Sequence, residues 1–313
     1  MGDIVNSISF QENNICWLNA EVNNSQSIVI KRVALSPLPF IINYENIQKS
    51  TTALQISTHL TKFAIENGFT LENVRFLLSA KFGIIKKIMV DHHIPETYYP
   101  QLVKNELSYS LTSPIEEYFV YQPDYFRDNN SSLKEVLTVS MRKSLFEFIQ
   151  NIGREASMAV TNVNLNCFSI DELYRRFFPN VIGETLLINF TERGFEMVIS
   201  DENNFLNFSF HPYSKSLQSI DQLEDNEIIS AFSSALSGIQ NYGPANNPAF
   251  SLSQVFLFGN YFKAAWLDNM QAASGITLKI LNPGETTEWQ IISEDNNFSS
   301  SGFRFVEPLS NIF

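Results

Sequence analysis

Two stretches of this 313-residue chain are dense in side chains that could do chemistry, and neither has the spacing for it. Asp91-His92-His93 sets three metal-ligating residue types in a row. On a strand, adjacent side chains point to opposite faces, so the two imidazoles cannot converge on one tetrahedral ion. The run reads instead as the solvated end of a strand. Glu116-Glu117 fails in the same way as an acid and base pair, which must face each other across a reacting bond. His59 and His211 are isolated. The sequence contains no Gly-x-Ser-x-Gly, Cys-x-x-Cys, P-loop or His-Glu-x-x-His motif. Neither a catalytic residue nor a metal site is expected. Cys16 and Cys167, far apart and in apolar surroundings, read as reduced core thiols.

Composition narrows the partners. A net charge of −12 opposes nucleic acid, which needs clustered lysine and arginine to release counterions. It equally opposes adhesion to an anionic membrane surface. The N-terminus lacks a basic region followed by an apolar run, and no stretch reaches the ~20 apolar residues that span a bilayer. A cytoplasmic protein with a protein partner is the expectation. Glycine is scarce, 12 residues in all, about half the usual ~7 % share, which matters because phosphate-binding loops need it. Aromatic residues crowd between Tyr98 and Phe126: Tyr98, Tyr99, Tyr109, Tyr118, Phe119, Tyr121, Tyr125 and Phe126. Tyrosine is enriched at interfaces, although the core of a small subdomain accounts for most such residues.

The elements that would position these groups follow from periodicity. Ile4 to Phe10, Ile15 to Ala20 and Ser27 to Leu35 read as a strand meander with polar turns, the first being Gln11-Glu12-Asn13-Asn14. Ala53, Ile56, Leu60, Phe63 and Ala64 keep helical spacing, Gly68 supplies a stop, and Val74 to Ser79 is a buried strand. Lys81 onward has a different texture: strand Gly83 to Val90, helix Tyr98 to Tyr109, a polar loop Asp124 to Ser132, strands Glu117 to Tyr121 and Glu135 to Met141, helix Lys143 to Ala156, and a closing strand Met158 to Val163. After a helix Leu165 to Phe178, the meander returns as Thr185 to Phe190, Phe195 to Ser200 and Phe205 to Phe210. A helix to Asn241, ended by Tyr242-Gly243-Pro244, the strand Val255 to Phe258, a helix Tyr261 to Ala273 and a strand Ile276 to Leu281 complete it. Meander, helix and strand thus occur twice, the mark of an internal duplication.

A duplicated RNase-H-like half with a small α/β unit inserted in the first resembles the actin-like ATPase superfamily. Within it the chain resembles the PilM branch of type IV pilus assembly, related to FtsA and the cytoplasmic part of GspL. Three segments carry the likeness: Ser113-Pro114-Ile115-Glu116-Glu117-Tyr118, then Leu133 to Met141 with its following helix, and Gly275 to Pro283. The implied division is 1–81 for the first half, 82–163 for the insert and 164–313 for the second half.

The resemblance also implies where nucleotide should bind, and there the chain departs from the family. Ser9-Phe10-Gln11-Glu12 and Asn189-Phe190-Thr191-Glu192 stand where ATP-binding members carry Asp-Ile-Gly, so both magnesium-organising aspartates are missing and an acid sits at each turn. Phe258-Gly259-Asn260-Tyr261 keeps one glycine of the adenosine motif. Mg-ATP needs donors and a metal-binding carboxylate. No cofactor is therefore expected, and Ser9, Gln11, Glu12, Asn189, Thr191, Glu192, Gly259 and Asn260 mark degenerate loops. The expected role is a non-catalytic scaffold or adaptor. In PilM-like proteins a peptide from a membrane partner docks beside the insert, which places Ile85, Met89, Tyr98, Tyr99 and Tyr109 near the partner and the protein at the inner membrane through it. Two other readings are a nucleotide switch or kinase-like ATPase with divergent loops, and an FtsA-like filament. The latter lacks an amphipathic C-terminal helix, because the tail Asn296 to Phe313 is short and broken by proline.

Overall fold

A computed structural model describes residues 2–23, 26–122, 126–128, 133–179, 181–201, 204–240, 252–285 and 289–313. Most of the expected polar loop Asp124 to Ser132, with Tyr125 and the side chain of Phe126, lies outside the described residues. So does the stop at Tyr242-Gly243-Pro244.

The first sheet is built on β1 (Asp3–Phe10), β2 (Asn14–Asn23) and β3 (Ser27–Pro37), an antiparallel meander. Asn6, fully buried on β1, is satisfied on every side. It accepts from Trp17 Nε1 (3.3 Å) and Asn19 Nδ2 (3.0 Å) and donates to Thr70 Oγ1 (2.8 Å) and the Glu72 carbonyl (2.9 Å). After a short helix α1 (Tyr44–Ile47), helix α2 (Ser50–Asn67) buries Ala53, Ile56, Leu60 and Ala64 on one stripe. It ends where Gly68 turns left-handed at φ 68°. Strand β4 (Val74–Leu78) then pairs in parallel with β1.

The insert follows as β5 (Gly83–Asp91), α3 (Tyr99–Ser108), β6 (Tyr118–Tyr121), β7 (Phe126–Asp128) and β8 (Leu133–Arg142), with β8 pairing to β5, β6 and β7. Its own small core joins Ile88, Val90, Tyr99, Val103, Leu107 and Val136. Helix α4 (Lys143–Glu155) and strand β9 (Val160–Leu165) do not close this unit, as their position after β8 suggested. Strand β9 pairs in parallel with β4, and α4 packs on α2. Strand β9 finds its partner by where the chain returns, and the edge of β4 lies there.

Helix α5 (Asn166–Phe177) crosses to the second sheet: β10 (Glu184–Phe190), β11 (Gly194–Ser200), β12 (Phe205–Pro212), helix α6 (Asp225–Gln240), β13 (Leu252–Phe258), helix α7 (Leu267–Ser274) and the two-residue β14 (Lys279–Ile280). Its strand order β12-β11-β10-β13-β14 repeats the order β3-β2-β1-β4-β9 of the first, so the duplication read from the sequence is one of topology. The end of the chain returns to the first half. Strand β15 (Gln290–Ser293) pairs in parallel with β3, and helices α8 (Asn296–Ser301) and α9 (Val306–Ser310) follow. The tail read as short and proline-broken buries Phe298, Phe305, Val306, Leu309 and Ile312 in the core, with Pro308 inside α9.

Candidate functional site

The two meander turns, the crossing after β4, the start of α5 and the loop after β13 meet between the halves. Each turn is closed by its own backbone: Gln11 N–H donates to the Asn14 carbonyl (2.9 Å) and Thr191 N–H to that of Gly194 (3.0 Å). The centre is filled by two buried carboxylates, Glu196 of β11 and Glu307 of α9, 2 % and 4 % exposed. Two amides bridge them, each using both its protons. Asn166 Nδ2 donates to Glu196 Oε2 (2.6 Å) and Glu307 Oε1 (2.7 Å), and Asn189 Nδ2 to the same oxygens at 3.2 and 3.0 Å. Ser9 Oγ (3.3 Å) and Gln11 Nε2 (2.5 Å) donate to Glu307 Oε2, and Ser79 Oγ donates to Glu196 Oε1. The backbone N–H of Ala80, 2.9 Å from Asn166 Oδ1, orients the first amide.

All the donors in this cluster are neutral, so one buried carboxylate disfavours ionisation of the other. Burial, and then the charge of Glu196, push the Glu307 carboxyl above its ordinary range. A carboxyl raised in the folded state binds a proton that the unfolded chain has already released, so its stabilising contribution is complete at low pH and is lost as pH rises. We expect the unfolding free energy of the wild type to fall relative to that of Glu307→Gln as pH increases above about 4.3, the ordinary glutamate value. Urea titrations of both proteins at several pH values measure it; parallel curves would refute the raised Glu307 carboxyl.

The sequence-selected loop residues are brought together here, and their surroundings differ from expectation. Ser9, Gln11 and Asn189 serve Glu307. Glu12 does not leave a free negative charge: it is paired with Lys81 and with Arg193 Nε (3.1 Å) of the opposite hairpin. Thr191 Oγ1 bonds within its own turn, to the Gly194 carbonyl (2.8 Å), and Glu192 is buried, its carboxyl pushed up by desolvation. Gly259, at φ 119°, passes so close to β10 that a Cβ would stand 2.7 Å from Phe190 N and O, a structural reason for the surviving glycine. Asn260 Oδ1 accepts from Arg304 Nη2 (2.9 Å). Tyr261 OH, next in the chain, accepts from Asn14 Nδ2 (2.7 Å) and donates to Asn13 Oδ1 (3.2 Å), and burial pushes its pKa to about 12. Glu307, Glu196, Asn166, Ser79, Lys81 and Arg193 were not singled out by sequence. Glu196 alone gave a signal, as a charge inside the apolar strand Gly194–Ser200.

The residues expected at the partner surface divide between two faces. Tyr99 is 5 % exposed and belongs to the insert's core, while Tyr98 and Tyr109 are exposed at the two ends of α3. Ile85 and Met89 point from the opposite face of β5, since Ile88 and Val90 face α3. On that opposite side lies an apolar groove of about 420 Å³ between the insert and the first sheet. Leu78, Phe119, Tyr121, Met141, Leu165 and Phe168 line it, and Phe119 and Tyr121 are 47 % and 67 % exposed. In a chain of charge −12, no carboxylate among the described residues lines this groove; Lys143 holds its ammonium 5.6 Å over the Phe119 ring.

The candidate chemistry set aside from the sequence stays apart. His92 and His93 sit in an exposed turn after β5, where His93 N–H donates to Asp91 Oδ1 (2.8 Å). Glu116 pairs with Lys104 at the surface (3.3 Å). Among the described residues no group of three or more His, Cys, Asp or Glu could hold a metal, and no helix is long and apolar enough to cross a membrane. Both cysteines are buried and free.

No protein-family profile matches the chain, and no curated protein matches it by sequence. Solved structures do. A PilM–PilN type IV pilus biogenesis complex contains a chain that superposes with a TM-score of 0.76 at 13 % identity, over 98 % of this chain and 97 % of that one. A Bacteroides thetaiotaomicron protein of actin-like ATPase fold (TM-score 0.46, 11 % identity, 91 % and 93 % covered) is more distant. So is the cytoplasmic domain of EpsL from Vibrio cholerae (0.46, 10 %, 93 % and 90 %).

Proposed function

Given that the chain has the actin-like ATPase fold, we propose that it works without nucleotide turnover, as an adaptor that holds an extended apolar segment of a protein partner. The observation that carries this reading is the filled cleft. The carboxylate of Glu307 takes the donors of Ser9, Gln11 and Asn189 at the ends of both hairpins, the positions from which a nucleotide-binding relative would reach phosphate. A phosphate chain there would meet two buried carboxylates and Glu12 instead of a glycine cradle.

The groove supplies the place for the partner. An apolar trough with Lys143 over the Phe119 ring at its rim suits an extended segment with apolar side chains and an acidic flank. The similar chain in the pilus complex is itself bound to a partner protein. By the resemblance to PilM-like proteins drawn from the sequence, the partner is a segment of an inner-membrane protein, and the role belongs to a pilus or secretion-like assembly at the membrane's cytoplasmic face.

Calorimetric titration with Mg-ATP, paired with a thermal-shift measurement, tests the first half of the proposal. The expected result is no heat and no stabilisation at millimolar nucleotide, since a ligand that binds the folded state must raise its melting temperature. Micromolar binding would overturn the adaptor reading in favour of a nucleotide switch.

A further inference from the structure

The floor of the groove and the buried carboxylate cluster are built on the same two chain crossings. Leu78 and Leu165 line the groove. The residue after each, Ser79 and Asn166, donates to Glu196, and Asn166 donates to Glu307 as well. The Ala80–Asn166 hydrogen bond ties the two crossings together. Two residues further on, Phe168 lines the groove from the first turn of α5 and packs its ring 4.7 Å from that of Phe205 in the second sheet. Leu165 and Asn166 share one planar peptide, and Phe168 lies about half a helical turn beyond. A side chain pressing on Leu165 or Phe168 therefore acts on the amide that bridges the carboxylates.

We infer that groove occupancy and the Glu196–Glu307 cluster are energetically coupled. An apolar segment seated on Leu165 and Phe168 fixes the first turn of α5, and with it the hydrogen bonds that join the halves. This rests on the docking reading above and adds regulation to it: an occupied groove is sensed between the lobes. Coupling is reciprocal, so loosening the cluster must weaken occupancy of the groove by the same factor.

A tethered occupant tests this without knowledge of the natural segment. Tyr121→Cys in the full chain, labelled with N-phenylmaleimide, delivers an aromatic ring to the groove, since both native thiols are buried. Amide hydrogen exchange is then followed at residues 78–81, 165–168 and 306–310 and at the groove walls Val139, Met141 and Val163. The expected result is slower exchange at the walls and slowing by about fivefold or more at the cluster. The cluster effect should disappear when Glu307→Ala, or the milder Ser79→Ala, is added. Protected walls with unchanged cluster amides would overturn the coupling and leave the docking reading intact. Persistent slowing in both added variants would also overturn it. Walls that stay unprotected would show that the groove does not accept an apolar group, and both readings would fall.

Discussion

Replacing Glu307 by alanine should cost about 2–4 kcal/mol of folding stability. Ser9 Oγ and Gln11 Nε2 would each lose the acceptor they have on Glu307 Oε2, and an unmet buried donor costs about 1–3 kcal/mol. Asn166 and Asn189 would fare better, since each keeps its second proton on Glu196. Relief of the repulsion between the two carboxylates offsets part of the loss. Glu307→Gln preserves an acceptor and removes the charge, so its effect should be much smaller near neutral pH. Glu116→Ala is the control: that carboxylate is exposed and pairs with an exposed lysine, so about 0.5 kcal/mol or less is expected. Urea denaturation of the three variants measures the series. A Glu307→Ala change as small as that of Glu116→Ala would mean that the cluster does not hold the halves together.

A single charge in the groove should abolish partner binding while leaving the fold in place. Met141 is half-buried on β8, in register between Gly83 of β5 and Phe119 of β6. In the free protein an aspartate there can reach solvent along the open groove. With an apolar segment seated over it, the same carboxylate must lose its water without gaining a partner. Met141→Asp should therefore weaken binding by at least about 100-fold, equivalent to ~2.7 kcal/mol. A photo-crosslinking side chain at Tyr121 in cells identifies the segment, and affinity for that segment is then compared between wild type and Met141→Asp, with thermal melts confirming the fold. Equal affinities, or no adduct at Tyr121, would remove the groove as the docking site. Tyr98→Ala and Tyr109→Ala form the contrasting pair. Both side chains lie with α3 on the other face of the insert, and no loss is expected from either.

Much of the architecture was legible because it is local. Periods of two and 3.6 residues, polar turns and Gly68 at its left-handed stop place strands and helices by near-neighbour chemistry alone, and their repetition showed the duplication. The residues at the two turns were equally readable, although their reading as degenerate phosphate loops rests on the resemblance to the actin-like family. What surrounds those loops was not. Ser9 and Glu307 are 298 positions apart, and nothing near Glu307 marks it as the acceptor that fills the cleft; only the return of the tail through β15 and α9 brings it there. Likewise β9 follows the insert in sequence but joins the first sheet, because an edge strand pairs with whatever edge the fold presents. Tyr98 and Tyr99 show the limit most simply. Two adjacent tyrosines have equal claims to an interface by composition, and the packing of α3 on β5 buries one and exposes the other. Residue chemistry and spacing thus determined the elements and the turns between them. Burial, carboxylate pairing and the choice of face depend on contacts between distant segments, and only the folded chain decided them.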